Sequence, residues 1–258
     1  MIASYAVNLR VPMFLFGLVV GSFLNVVGYR VPRRESILSP RSHCTACSHT
    51  LQWYELIPIF SWLLLRGRCK SCHTSISVRY PILELVTASL FFATTLYVQD
   101  FAHAVAWCVF WALMIAVTAT DLTSMRVPNV LSLPGALVTL GIVVLTGTQT
   151  WSASLFGAGA GFFVMLFLNL ISRGKMGMGD VKLFLSIGAI FGPYGALETL
   201  VFASAAGSLV GLAMRFTGLL PPRTYIPFVP YILVGTILTE FFGPRLASWY
   251  ISAILHLV

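Results

Sequence analysis

Two aspartates and four cysteines carry most of the chemistry available to this 258-residue chain. Asp180 stands in Gly177-Met178-Gly179-Asp180-Val181-Lys182, a charged hexapeptide that opens a short apolar run. Asp121 closes another apolar run, in Ala119-Thr120-Asp121-Leu122-Thr123. A carboxylate at the edge of a membrane-length segment faces protein or water and is by default a functional-site hypothesis. Two carboxylates within hydrogen-bonding reach share a proton, so one serves as general base and the other as general acid. Such a pair activates water against a peptide carbonyl without a metal or a covalent intermediate. Glycines on either side of Met178 let the backbone turn tightly and let another chain approach, so Gly177, Gly179 and Lys182 form the expected active-site loop around Asp180. Helix ends add an asymmetry: Asp180, near an N-terminus, is favoured as the anion, and Asp121, near a C-terminus, as the neutral acid. The plainer reading makes Asp180 a helix N-cap and Asp121 an interfacial partner of Arg126.

The cysteines suggest a metal. Cys44-x2-Cys47, then 21 residues, then Cys69-x2-Cys72 is the four-thiolate arrangement of a tetrahedral zinc site, each pair gripping one edge. On the reducing side of a membrane disulfides are disfavoured; the rival reading is four free or redox-active thiols. His43, His49 and His73 flank the cysteines and are read as solvated neighbours. With four thiolates and no open position the metal would be structural, fixing a loop too small for its own core. Cys108 lies in an apolar run and is expected simply to pack.

The elements that position these residues are membrane helices. Hydrophobic residues make up 58% of the chain and charged residues 9%, with mean hydropathy +0.89, which excludes an ordinary soluble domain. The expected class is an all-α polytopic membrane protein of about eight transmembrane helices, with a small zinc-stabilised domain between helices 1 and 2. Spans are expected at about 11–29, 82–98, 102–120, 129–146, 152–172, 181–191, 196–216 and 226–242. The first run lacks a small-residue cleavage site and reads as a span rather than a cleaved signal. Residues 30–79 form the extramembrane domain, and 80–258 the helical core that carries both aspartates. Within the domain, Leu56 to Leu65 is apolar but too short to cross roughly 30 Å of hydrocarbon; it lies on the bilayer or packs under the domain. The tail from Arg245, with Trp249, Tyr250 and His256, either extends the last span or lies at the interface.

A net charge of +8 would suggest nucleic acid in a soluble protein. Here the basic residues flank spans instead, which excludes that partner and sets the orientation. With the cysteine loop cytoplasmic, that side holds 14 of the 16 Lys and Arg, including Arg126, Arg173, Lys175, Lys182, Arg215 and Arg223. Only Arg10 and Arg245 lie on the other face. Asp121 and Asp180 then share one depth, at the cytoplasmic edge.

Taken together, the motifs resemble the type IV prepilin peptidases, bacterial inner-membrane aspartic peptidases of the G-x-G-D kind. The resemblance spans nearly the whole chain. It rests on Gly21-Ser22-Phe23-Leu24-Asn25-Val26-Val27 with Arg30 and Pro32, the cysteine pairs, and Ser77-Val78-Arg79-Tyr80-Pro81 with Glu84. It continues through Asp121 with Val127-Pro128-Asn129, Gly177 to Leu183 with Gly188, and Ile226-Pro227-Phe228. The resemblance implies that Asp121 and Asp180 are the catalytic pair. It implies prepilin or pseudopilin substrates with a short basic leader ending in glycine, and methylation of the new N-terminus from S-adenosylmethionine. No residue is matched to a methyl-donor pocket, and no oligomeric state follows. Asn129 stands where an acidic residue often follows the proline, and Pro230-Tyr231 replaces the more usual Pro-Phe. Glu84 is read as a structural partner of Arg79 or Arg30 in preference to a reader of the basic leader, and Asn25 as a helix-to-helix hydrogen bonder in preference to a substrate contact. Two rivals stay open: a transporter using Asp121 and Asp180 as an ion or proton relay, and a zinc-loop membrane assembly protein with inert aspartates.

Overall fold

The computed structural model describes residues 2–174, 176–218 and 226–253. It is all-α in its regular structure: α1 (Ile2–Arg30), α2 (Phe60–Leu64), α3 (Arg79–Tyr97), α4 (Phe101–Ser124), α5 (Asn129–Thr146), α6 (Trp151–Ile171), α7 (Met178–Phe216) and α8 (Val229–Ala253). Among the described residues six helices are long and apolar enough to cross a membrane, namely α1, α3, α4, α5, α6 and α7, and Val229–Gly243 is a shorter apolar helix. The chain is therefore a multi-pass membrane protein with a cysteine-bearing segment between α1 and α3. Lys175 and Arg223, both in the orientation count, lie outside the described residues. So does His256, whereas the backbone of the tail continues α8 through Ala253.

Backbone polar groups in hydrocarbon must be satisfied within the protein, and helices do this for the peptide groups. Their hydroxyls follow the same rule: Thr87, Thr94 and Thr118 each donate to the carbonyl four residues earlier, at 2.7–2.9 Å.

Two compact units divide the chain, Met1–Ser124 and Met125–Val258. In the first, α1 packs on α3 and α4. Small residues let the backbones approach: a Cβ on Gly21 would lie 2.8 Å from Glu84 Cα, and one on Gly28 would lie 2.4 Å from Ala119 Cβ. Asn25 Nδ2 donates to Tyr80 O at 3.2 Å, the expected bond between helices. Phe91, Phe110, Trp111 and Met114 form the fully buried centre.

The second unit centres on α7, which packs against α5, α6 and α8. α7 is 39 residues long, yet Gly192 (φ 72°, ψ −177°) breaks its helical backbone immediately before Pro193. At 1.5 Å per residue an unbroken helix would hold Phe184 and Ala196 roughly 18 Å apart. Instead, Phe184 O and Ala196 Cβ both lie within 3.5 Å of one point beside Gly161. The chain thus turns back at Gly192, dividing α7 into arms 178–191 and 193–216. Gly157 and Gly188 bring α6 and the first arm into backbone contact, a Cβ on Gly188 falling 2.0 Å from Gly157 O.

Candidate active site and metal centre

Asp180 sits in the first turn of α7 and is buried. The N-cap is Gly177, with extended backbone at φ −65° and ψ 129°, so Asp180 is the third helical residue and not the cap itself. Its carboxylate folds back over that glycine: a Cβ on Gly177 would lie 3.2 Å from Asp180 Oδ2. Gly179 has a different task. A Cβ there would lie 2.4 Å from Val127 Cβ and 3.0 Å from Val127 O, so the first turn of α7 rests directly on the segment before α5. Lys182 Nζ donates to Asn129 Oδ1 at 2.8 Å. On the approach to the turn, Asn169 Nδ2 donates to Met176 O at 2.5 Å. Among the described residues, Gly177, Gly179, Asp180 and Lys182 are thus gathered on one helix start, braced from α5 and α6.

Asp121 belongs to the first unit, three residues before the end of α4, and is 6% exposed. Thr120, Thr123 and Ser124 cover nearby α4 carbonyls with their hydroxyls. Arg79 Nη1 donates to Leu122 O at 3.3 Å, placing a cation at the helix C-terminus where the dipole favours it. The position of Asp121 follows from Gly28, whose missing side chain lets α1 reach Ala119 one half-turn earlier.

Glu84 does not pair with an arginine. Its Oε2 accepts from the Ile59 N–H at 2.8 Å, while Arg30 donates to Ser36 O and Pro40 O and Arg79 to Leu122 O. The loop after α1 needs its carbonyls covered, and a planar guanidinium with five donors serves several at once.

The cysteine segment is built from two similar turns. Cys44 N–H donates to His49 O and Cys69 N–H to Thr74 O, both at 2.9 Å. Ser48 and His73, each four residues beyond the first cysteine of its pair, have left-handed backbones at φ 60° and 57°. Bridges between His43 and Thr50 and between Arg68 and Ser75 close the two turns. The four Sγ atoms all lie within 4.8 Å of one another, with Cys44–Cys72 at 3.8 Å and Cys47–Cys69 at 3.9 Å. Thiolates at about 2.3 Å from a tetrahedral zinc stand roughly 3.8 Å apart, so the cluster has the dimensions of a metal site. The Thr74 hydroxyl, 3.3 Å from Cys72 Sγ, and then the Thr74 backbone bring the Cys72 thiol down to about 6, whereas, against the His49 backbone bond, burial and the neighbouring thiols push Cys47 up to about 12, so the thiolate is favoured at Cys72 and not across the whole cluster.

The histidines stay out of the cluster. His43 Nδ1 lies 3.1 Å from Arg41 O, and His49 Nε2 lies 3.1 Å from Glu55 Oε2. Glu55 also accepts from Gln52 N–H at 2.8 Å. That backbone donor first, then His49, holds its carboxyl below the usual carboxylate range against the opposing effect of burial. Trp62 packs on Gly67 and donates to Ile76 O at 3.1 Å. Phe60, Leu63 and Leu64 remain exposed, so the apolar Leu56–Leu65 stretch contributes to the domain's packing on one side only. Cys108 is buried in α4.

Sequence reasoning missed the braces: Val127, Asn169, the Lys182 partner Asn129, and the Glu55–His49 pair. The signal for Glu55 was present, since it is one of only eight acidic residues and sits in an apolar stretch.

Comparison with known proteins gives two family matches. The model described as "Bacterial Peptidase A24 N-terminal domain" matches residues 15–98, and that described as "Type IV leader peptidase family" matches residues 108–212. The chain is 38% identical over 243 residues to a prepilin leader peptidase/N-methyltransferase of Bacillus subtilis, covering 94% of this chain and 98% of the relative. It is 32% identical to an enzyme of the same description from Aeromonas hydrophila, covering 94% of both. It is also 32% identical to a type 4 prepilin-like proteins leader peptide-processing enzyme of Escherichia coli, covering 86% of this chain and 90% of the relative. No solved structure matches the chain.

Proposed function

Because the chain belongs to the type IV leader peptidase family, we propose that Asp121 and Asp180 are the acid–base pair that cleaves the basic leader of prepilins or pseudopilins after a glycine. The observation that carries this is the construction around Asp180. A buried carboxylate stands at a helix start, folded over Gly177 and directly after Gly179, whose missing side chain lets the turn rest on Val127, and that turn is anchored to α5 through Lys182 and Asn129. One carboxylate takes a proton from water while the other gives one to the departing amine, so neither metal nor covalent intermediate is needed. The pair titrates as a unit. The helix N-terminus under Asp180 favours the charged form there.

The protein acts in the bacterial inner membrane, and eight crossings go with this reading: α1, α3, α4, α5, α6, the two arms of α7, and α8. The distribution of Lys and Arg supports a cytoplasmic cysteine loop and a cytoplasmic catalytic face. That is where a prepilin presents its leader, with its apolar helix in lipid. In this division residues 1–29 are the first span, 30–79 the metal-stabilised domain, and 80–258 the peptidase core. Zinc is the metal that suits four thiolates at the spacing found; held by Cys44, Cys47, Cys69 and Cys72, it would supply cross-links, not reactivity. After cleavage the new N-terminus is methylated from S-adenosylmethionine, the second activity printed in the relatives' names.

Incubating detergent-purified protein with a prepilin and weighing the product tests both activities. Loss of the leader mass with a gain of one methyl, dependent on S-adenosylmethionine, is expected. An intact substrate overturns the peptidase reading.

A further inference from the structure

We propose that the cavity enclosed by α1, α3 and the cysteine segment is the seat of S-adenosylmethionine, with Glu55 and Glu84 facing its positive charges. The inference rests on the reading that this chain methylates its product. The cavity measures about 410 Å³ and lies wholly within the first unit. That is the size range of sites for small molecules.

Two buried carboxylates line it. Glu84 is 7% exposed and uses Oε2 on the Ile59 N–H. The side chain of Glu55 is 2% exposed and uses Oε2 on Gln52 N–H and His49. Its Oε1 is buried and has no partner in the chain. A buried carboxylate oxygen without a donor is costly, and here the donor would come from a bound molecule. The basic residues of the lining are occupied elsewhere: Arg30 by the Ser36 and Pro40 carbonyls, Lys70 by Tyr54 Oη at 2.8 Å, and Arg79 by the Leu122 carbonyl at 3.3 Å. The free valence of the cavity is thus an acceptor of positive charge.

The lining also holds Trp62 and Tyr80; aromatic faces attract cations, and with Arg79 already over the Tyr80 ring at 5.3 Å from its centroid, Trp62 is the face left for a bound cation. A small molecule with a sulfonium, an ammonium and a flat ring system matches this combination of carboxylates and aromatics. In the transfer, the neutral amine of the new N-terminus forms a bond to the methyl carbon as the methyl–sulfur bond breaks. The electron pair stays on sulfur, and the positive charge passes to nitrogen. A cavity that favours the sulfonium over the neutral thioether product would also favour product release.

The test is direct binding to the full-length, metal-loaded protein in detergent, read by isothermal titration calorimetry. Wild-type protein is expected to bind S-adenosylmethionine more tightly than S-adenosylhomocysteine, which lacks the sulfonium charge. Glu55→Gln is expected to weaken S-adenosylmethionine binding at least tenfold and to shrink that preference. Cysteine-bound metal content and thermal unfolding report whether the variant is folded, and should Glu55→Gln lose its metal, Glu84→Gln repeats the test from α3. Wild-type binding in both folded variants would overturn the placement while leaving methylation intact. A wild-type protein that neither binds the donor nor adds a methyl would overturn the underlying reading instead.

Discussion

Lys182 Nζ and Asn129 Oδ1 stand 2.8 Å apart, joining α7, just beyond the turn that carries Asp180, to the first residue of α5, across 53 positions of sequence. This bond holds the turn that carries Asp180. Asn129→Ala is expected to lower kcat for leader cleavage about tenfold with little change in KM, a loss of ~1.4 kcal/mol that matches a hydrogen bond to a charged group. Asn129→Asp keeps an acceptor in place and should retain most of the activity. Steady-state cleavage of a prepilin peptide checks both.

Asp121→Asn and Asp180→Asn should each reduce cleavage by about 10²- to 10⁴-fold, the usual range for losing a general acid or base. Their thermal unfolding in detergent should stay near wild type, because the amide is isosteric with the carboxyl. Full activity in both variants would remove the catalytic pair from consideration.

Gly179→Ala places a methyl 2.4 Å from Val127 Cβ, and overpacking of this kind costs about 1–3 kcal/mol. A lowered unfolding temperature and weakened cleavage should follow. Gly159→Ala is the control, since nothing lies within 4 Å of its Cβ position; in mid-helix it should stabilise by about 0.5–1 kcal/mol.

Removing the metal should loosen the cysteine segment. Cys69→Ser, at the buried member of the four, is expected to abolish stoichiometric zinc measured by elemental analysis. It should also raise proteolysis between residues 34 and 78 while leaving the helices intact. Strong chelation of the wild type should produce the same cleavage pattern.

Glu55 gives the acid response of that segment its sign. Its folded-state carboxyl titrates below the ordinary 4.5, so its stabilising contribution is complete above that value and is lost as pH falls through the lower folded one. Glu55→Gln should therefore be less stable than wild type at neutral pH, with the difference narrowing below about pH 4.5. Tryptophan fluorescence of the two proteins during acid titration follows it.

Local signals in the sequence account for much of the architecture. Asn129–Thr146 begins and ends where the apolar run does, because Pro128 precedes it in extended backbone and Gly147 closes it at φ 73°. The two cysteine turns were equally legible, since each repeats a short-range pattern. Hydropathy marked residues 181–191 and 196–216 as separate runs, and the structure joins them through Gly192 into one continuous element that reverses direction. Partners brought together over long separations stayed hidden: Lys182 with Asn129, Gly179 with Val127, and Glu84 with the Ile59 backbone. The arginines expected to meet Glu84 serve loop and helix carbonyls instead, a demand that exists only once the chain has folded.

In the eight-crossing reading proposed above, the reversal at Gly192 also sets the parity of everything downstream. Were the 39 residues of α7 to cross as one rod, every later segment would emerge on the opposite face, and the helix, roughly 58 Å long at 1.5 Å per residue, would overshoot the hydrocarbon on both sides. On that reading, one glycine with positive φ, followed by Pro193, decides whether α7 counts as one crossing or two. On the same reading, a bulky, β-branched replacement at Gly192, strained at φ 72°, would be a lesion of topology, leaving Asp180 chemically intact while the last helix is threaded the wrong way.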